Sequence, residues 1–266
     1  MNHTAARPPL ALVTGASTGI GRALARQFAE HGYDVVVAAD EPEIERTADE
    51  IAAVSGQLVT PVQVDLSTAD GVQRLYEAAT GSDRALDAVA LNVGTGVHGR
   101  FDTTDLDEDL RLVDLNCRST VHLAKLVVRD MVTRGEGRVL VTASIAARAP
   151  GPFHATYAAS KAFVHSFAEA VRHELDGTGV TVTSLMPGPT DTAFFERAHY
   201  EDTQVATGPK DSPDQVAADG FAALMAGRAH VVPGSLRNKV MAAGSALVPD
   251  ALAAKVAARQ TKPGSA

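Results

Sequence analysis

The sequence predicts an α/β fold: one doubly wound domain with a seven-stranded parallel sheet and helices on both faces. Three observations carry that expectation. Short apolar runs alternate with longer amphipathic segments, the pattern of right-handed β–α–β crossovers. Two of the runs, LALVT at Leu10–Thr14 and DVVVAA at Asp34–Ala39, show no polar alternation, as suits strands buried on both faces. The first run passes directly into TGASTGIG, residues 14–21, a glycine-rich turn that opens a helix.

The elements follow in order. Strand 10–14 leads through the glycine turn to a helix over 20–30. After strand 34–39, Asp40 is expected to N-cap the next helix, with Pro42 in its first turn, where a missing N–H is harmless. Residues 58–64 and 86–91 read as the third and fourth strands, separated by a helix over about 68–79. The segment 105–134 reads as one long helical stretch, and its acidic start, DTTDLDEDL at 102–110, suits the positive end of a helix dipole. RVLVT (138–142) is the fifth strand, 156–175 a helix, and VTVTSL (180–185) the sixth strand. Val231 and Val232, stopped by Pro233-Gly234, form a short seventh. Residues 1–9 are expected to be a flexible N-terminus. Residues 10–234 form the domain, with a substrate loop at about 189–213, and 235–266 form a helical, basic tail. In such folds ligands bind outside the carboxyl ends of the strands, so chemistry-bearing residues are expected just after them.

Composition narrows the classes of function. Apolar residues are 45% and charged residues 21% of the 266, an ordinary globular balance. The net charge of −8 argues against nucleic acid as a partner. The single cysteine, Cys117, excludes an intrachain disulfide, fits a reducing cytoplasm and reads as a small buried helix residue. The start, MNHTAARPPL, lacks a signal peptide's apolar core, and no apolar run approaches the roughly 20 residues that span a bilayer. No Cys or His spacing suggests a metal.

Within the glycine-rich turn, Gly15 permits a tight bend, while Gly19 and Gly21 let backbone approach a pyrophosphate at a helix N-terminus. Its spacing, G-x-x-x-G-x-G, differs from the general G-x-G-x-x-G fingerprint. Further on, YAASK places Tyr157 and Lys161 one helical turn apart on the same face, although a lone pair of this kind is as readily a surface contact.

The ordered set of landmarks is more specific than any member. TGASTGIG precedes Asp65 in VDL after the third strand, NVG (92–94) after the fourth, and Asn116 in LNC mid-helix. Ser144 in TAS follows the fifth strand, Tyr157 and Lys161 come thirteen and seventeen residues later, and PGPTDT (187–192) follows the sixth. Over residues 10 to about 195 the chain resembles the short-chain dehydrogenase/reductase family. That resemblance implies a Rossmann-like fold with sheet order 3-2-1-4-5-6-7. It implies an NAD(P)-dependent oxidoreductase that interconverts a secondary or primary alcohol and a ketone or aldehyde.

The resemblance assigns Ser144, Tyr157 and Lys161 as catalytic, with Asn116 as the fourth member. A tyrosine, with its ordinary pKa near 10, is a poor acid or base at neutral pH, and moving it three units needs about 4 kcal/mol. A unit charge about 4 Å away supplies about that at an effective dielectric near 20. Lys161 is expected to be that charge, with an oxidised nicotinamide adding to it, making Tyr157 the general acid for carbonyl reduction and the base in reverse. Ser144 would hold the substrate oxygen. Asn116 would mark a helix irregularity whose carbonyl orders a water beside the lysine.

The same resemblance implies the cofactor contacts. The turn residues Gly15, Ser17, Thr18, Gly19, Ile20 and Gly21 would carry the pyrophosphate. Asp65, with its neighbour Leu66, would meet the adenine amino group, and the backbone of Asn92, Val93 and Gly94 would line the adenosine side. Val93 stands where the family usually has alanine. Tyr157 and Lys161 would also touch the cofactor. Pro187 and Gly188 bend the chain near the nicotinamide; Thr192 would bond its carboxamide, and Thr190 shares that task. Ala39 occupies the family's acidic position and Asp40 the position often basic in NADP users. With no cation in reach along the sequence, NAD is the expected cofactor.

For the substrate, Phe194, Phe195 and Tyr200 offer an apolar wall, with Gly96, Val97, Phe153 and His154 nearby. A homodimer or homotetramer joined through segments 105–134 and 156–175 is implied by the family. Residues 228–266 carry a net +5, and their Ala-rich run is expected to pack on a subunit or the pocket rather than on a membrane surface. Two rival readings are a cofactor-sensing module without turnover, disfavoured by the intact Ser, Tyr and Lys, and a sugar-nucleotide epimerase or dehydratase, disfavoured by the glycine spacing.

Overall fold

The computed structural model describes residues 7–81, 84–234 and 249–266. Its seven strands are β1 (Leu10–Thr14), β2 (Asp34–Ala39), β3 (Val59–Gln63), β4 (Ala88–Leu91), β5 (Gly137–Thr142), β6 (Val180–Leu185) and β7 (His230–Val231). All pair in parallel, in the order β3-β2-β1-β4-β5-β6-β7. The order reverses between β1 and β4, in register Ala11↔Ala88, and a crevice opens at that switch point.

Successive side chains on a strand face opposite ways, so each unbroken apolar run feeds two cores. Leu12, Val36, Val89 and Val139 pack with Leu75, Leu123, Met131 and Val164. Those partners come from α3 (Ala69–Thr80), α5 (Ser119–Arg134) and α6 (Ala155–Glu174). On the opposite face Val13, Val35, Ala90 and Leu140 meet Leu24 and Phe28 of α1 (Gly19–Glu30), Ile44 of α2 (Glu43–Ser55) and Phe221.

Several sequence expectations change. The stretch 105–134 is not one regular helix: α4 (Leu106–Val113) and α5 flank a π-helical turn, Asp114–Arg118. Asp105 caps α4 as its acidic start suggested, accepting from Asp107 N and Glu108 N. Asp40 does not cap α2; Pro42 is the flanking residue there, with no side-chain cap, and Asp40 turns instead toward Arg111. Cys117 is half-buried rather than buried, with its Sγ 3.9 Å from Ser160 O. The loop at 189–213 contains two short helices, α7 (Phe194–Arg197) and α8 (Gln204–Thr207). The sequence reading omitted α9 (Pro213–Met225), whose start signal is Ser212 accepting from Asp214 N with Pro213 behind it. Pro249 precedes α10 (Asp250–Thr261) rather than interrupting it. The expectations for residues 1–6 and for 235–248 of the tail lie outside the described residues. Among the described residues no helix is long and apolar enough to cross a membrane.

The entry to α1 is tightly packed. A Cβ at Gly21 would lie 2.0 Å from Gly15 O and 2.6 Å from Asn92 Nδ2. In an open helix Gly→Ala is favourable by up to about 1 kcal/mol. Here overpacking, which costs about 1–3 kcal/mol, should win, so Gly21→Ala is expected to lower stability in urea denaturation. A gain in stability would show that the turn does not need this close approach.

Candidate active site

The site grows from the carboxyl ends of β1, β4, β5 and β6, which open onto one cavity of about 1020 Å³. Side-chain hydrogen bonds stitch the strand ends together. Thr14 Oγ1 accepts from Asn92 N at 3.0 Å and Val93 N at 3.1 Å. Asn92 Nδ2 donates to Thr14 O at 3.1 Å, and Thr142 Oγ1 donates to Asn92 Oδ1 at 3.0 Å. The Asn92 side chain is thus spent on the scaffold. Gly15 and Gly19 adopt left-handed φ of 65° and 57°. A Cβ on Gly19 would meet Thr192 Cγ2 at 2.8 Å, and one on Gly94 would meet Asn116 Oδ1 at 3.1 Å and Lys161 Nζ at 3.2 Å. Thr18 flanks α1 without a side-chain cap, so the first-turn N–H groups have no side-chain acceptor.

The expected catalytic residues converge. Ser144 caps a short 3₁₀ turn, Ile145–Arg148, by accepting from Ala146 N at 3.1 Å, and also hydrogen-bonds Tyr157. Tyr157 and Lys161 lie in the first turns of α6. Lys161 is buried; its Nζ donates to Thr142 O at 3.0 Å and lies 5.8 Å from the centre of the Tyr157 ring. Burial pushes the Tyr157 phenol up to about 12, against a smaller lowering by the Ser144 hydrogen bond. Burial also brings Lys161 down to about 8. The ammonium beside the ring favours the phenolate. Burial outweighs it here, so in the chain alone the phenol keeps its proton, and the expected lowering of Tyr157 rests on the added charge of an oxidised nicotinamide.

Asn116 lies within the π turn, the irregularity expected of it. Its Nδ2 donates to Thr95 O at 3.0 Å and Ser160 Oγ at 2.9 Å, and its Oδ1 accepts from Thr95 N at 2.9 Å. It therefore fixes the segment following Gly94 against α6. Its main-chain carbonyl accepts from Thr120 Oγ1 at 2.8 Å.

Beyond the trio the wall is aromatic and apolar. Phe194 packs 5.2 Å from the Tyr157 ring, and Phe195 and Tyr200 close behind it. His154 Nδ1 pairs with the Tyr200 hydroxyl at 2.9 Å; burial lowers His154 to about 4, so it is neutral at pH 7. Ala253, Val256 and Ala257 of α10 line the same cavity. His98 bridges His199 O at 2.9 Å and Thr261 O at 2.6 Å, holding that helix to the substrate loop. Phe153 is not among the lining residues.

At the other end of the cavity the expected contacts divide. Ser17, Thr18, Ile20, Asp40, Val93, Pro187, Gly188, Thr190 and Thr192 line it, but Asp65 and Leu66 do not, and the Leu66 side chain is in the core. Burial pushes the Asp65 carboxyl up, but hydrogen bonds from Arg111 and Ser67 outweigh it and hold the group below the usual carboxylate range. The expectation of no cation near Asp40 is overturned. Arg111 Nη1 donates to Asp65 Oδ2 at 2.9 Å, and its Nη2 reaches Asp40 Oδ2 at 3.5 Å. Arg197 pairs with Glu41 at 2.9 Å, and Ser17 Oγ donates to Glu41 Oε2 at 2.9 Å. Both arginines are remote in sequence, so no local signal marked them.

The sequence model of the short chain dehydrogenase family matches residues 9–202. A probable oxidoreductase, EphD, of Mycobacterium tuberculosis is 36% identical over 185 residues, spanning 69% of this chain but only 31% of that protein. An uncharacterized oxidoreductase of Myxococcus xanthus is 35% identical over 67% of this chain and 70% of its own length. Among solved structures, a short-chain dehydrogenase from Sphingobium yanoikuyae in complex with NADPH has a TM-score of 0.79 at 27% identity, covering 90% of this chain and 93% of that one. A short chain dehydrogenase/reductase from Burkholderia phymatum in complex with NAD has a TM-score of 0.77 at 25% identity, covering 85% and 88%.

Proposed function

From the premise that the chain belongs to the short-chain dehydrogenase/reductase family, we propose that this oxidoreductase interconverts an alcohol and a ketone or aldehyde with a nicotinamide dinucleotide. The observation that carries the reading is the convergence of Ser144, Tyr157 and Lys161 in the cavity that also holds the glycine turn. The residues fit such a group. Gly19 and Gly94 line a cradle that a single methyl would fill, and the uncapped first turn of α1 borders the same space. Gly15 to Gly21, Asn92 to Gly94, Lys161, and Pro187 to Thr192 would hold it. Bound there, the dinucleotide supplies or accepts a hydride and, when oxidised, adds a positive charge to the site.

The chain's own residues then divide the work. Ser144 holds the substrate oxygen. Tyr157, protonated at neutral pH, gives its proton to that oxygen, which equips the resting site for reduction. Leaving a phenolate at pH 7 from a pKa of about 12 costs about 7 kcal/mol, and the Lys161 ammonium is the positive charge that stands beside it. The walls beyond the trio carry aromatic, aliphatic and neutral imidazole groups, which favours an uncharged substrate with an apolar substituent.

The adenosine end carries three carboxylates, Asp40, Glu41 and Asp65, against the guanidiniums of Arg111 and Arg197. That excess of negative charge supports a preference for NAD. Leu106, Leu110 and Val113 expose one apolar stripe on α4, and Phe163 is exposed on α6, which supports a homo-oligomer joined through these helices. A cytoplasmic location completes the reading.

Tyr157→Phe should reduce kcat roughly 10²–10⁴-fold while leaving dinucleotide binding in place, as read by reduced-nicotinamide fluorescence. Undiminished turnover would remove Tyr157 from the chemistry. Lys161 is charged below about pH 8 and neutral above it, so kcat/KM should fall on the alkaline side of about 8. Lys161→Arg, which cannot lose its charge, should abolish that limb even if the rate itself drops. An unchanged limb would assign it to another group.

A further inference from the structure

We propose that Arg111 is a specificity-determining residue that reads the 2′ position of the cofactor's adenosine ribose, allowing this site to take a 2′-phosphate as well as a free hydroxyl. The inference rests on the dinucleotide reading above and deepens it.

The guanidinium is held unevenly. Arg111 Nη1 donates to Asp65 Oδ2 at 2.9 Å and to Ser67 Oγ at 2.8 Å. Nη2 makes only longer contacts, 3.3 Å to Asp65 Oδ1 and 3.5 Å to Asp40 Oδ2. One side of the fork is anchored, while the other touches Asp40 at the limit of a hydrogen bond. The side chain is 47% exposed and lines the same cavity as Asp40 and the glycine turn.

Asp40 is the first residue after β2, and β2 neighbours β1 at the glycine turn, so it stands at the cavity's adenosine end. An unpartnered carboxylate there would repel a dianionic phosphate. Arg111 offsets that repulsion, and its loosely held Nη2 can exchange Asp40 for a phosphate oxygen without losing Asp65 or Ser67. Arginine suits this role because its charge is permanent and its donors match phosphate oxygens in pairs. Asp65 then serves as the arginine's anchor, which explains why it lies outside the cavity lining while its carboxylate is engaged by Arg111. Asp40 is the opposing element: it competes with the phosphate for the same nitrogen.

The test measures binding of NADH and NADPH to the full chain by reduced-nicotinamide fluorescence, since the two differ only in the 2′-phosphate. Wild type should bind both, NADH the tighter. Arg111→Gln should weaken NADPH at least about tenfold, the scale of a lost charge-assisted contact, and change NADH less than about threefold. Asp40→Asn should strengthen NADPH severalfold, and adding Arg111→Gln should cancel that gain. Arg111→Lys, which keeps the charge but not the fork, should give an intermediate loss and keeps the test intact if the glutamine variant misfolds. Equal weakening of both nucleotides by Arg111→Gln, or a gain from Asp40→Asn that survives it, overturns the inference. NADH binding without NADPH binding in both wild type and Asp40→Asn also overturns it, and leaves the dinucleotide reading standing. Failure of wild type to bind either nucleotide defeats that reading and the inference together.

Discussion

A buried ammonium set against a buried phenol is the constraint on which the site depends. The Lys161 ammonium is seated by Thr142 O, which accepts from its Nζ, and by Gly94, which leaves room for it. Removing this charge from water is costly, and the cost appears as the fall of Lys161 to about 8. The same enclosure acts on Tyr157 with the opposite consequence, holding its proton in place. Ordinary burial penalties thus become a proton donor beside a cation that eases the proton's departure. The pairing favours donation over abstraction until more positive charge enters the site.

That arrangement needs strand ends fixed in relation to each other and to α6. Thr14, Asn92 and Thr142 tie β1, β4 and β5 side by side, and Thr142 is also the residue whose carbonyl holds Lys161. Asn116, in its π turn, clamps Thr95 and Ser160 from the other side. The polar groups nearest the chemistry therefore support the scaffold more than they face the cavity, and the catalytic hydroxyls are positioned by backbone that cannot shift independently. Close approach at Gly19 and Gly94 follows from the same crowding: a side chain at Gly19 would run into Thr192, and one at Gly94 into Asn116 and Lys161.

Much of this was legible in the sequence, for identifiable reasons. Runs such as DVVVAA are unbroken because both faces of a central strand are buried, so strand positions could be read from composition alone. The glycine turn and the Tyr157–Lys161 spacing could be read because they are local. What escaped depends on contacts between distant segments. Arg111 reaches Asp40 and Asp65 only after α4 folds over the ends of β2 and β3, and Arg197 reaches Glu41 from the substrate loop. Asp40 looked like a helix cap because local capping chemistry suited it, yet the residue flanking α2 is Pro42 and the Asp40 carboxylate lies 3.5 Å from the Arg111 guanidinium. The burial that acts on Tyr157 escaped for a related reason: the lysine's charge is visible in the sequence, whereas the desolvation opposing it comes from the closed fold.

The most direct test of the account is the order in which the paired groups lose their protons. NMR titration of ring-¹³C tyrosine and side-chain-labelled lysine in the free protein, with Tyr157→Phe and Lys161→Arg assigning the signals, reads both. Lys161 should titrate first, near 8, with Tyr157 retaining its proton to about 12. A Tyr157 signal that titrates near neutrality ahead of Lys161, or a Lys161 that behaves as an ordinary exposed lysine, would contradict the account.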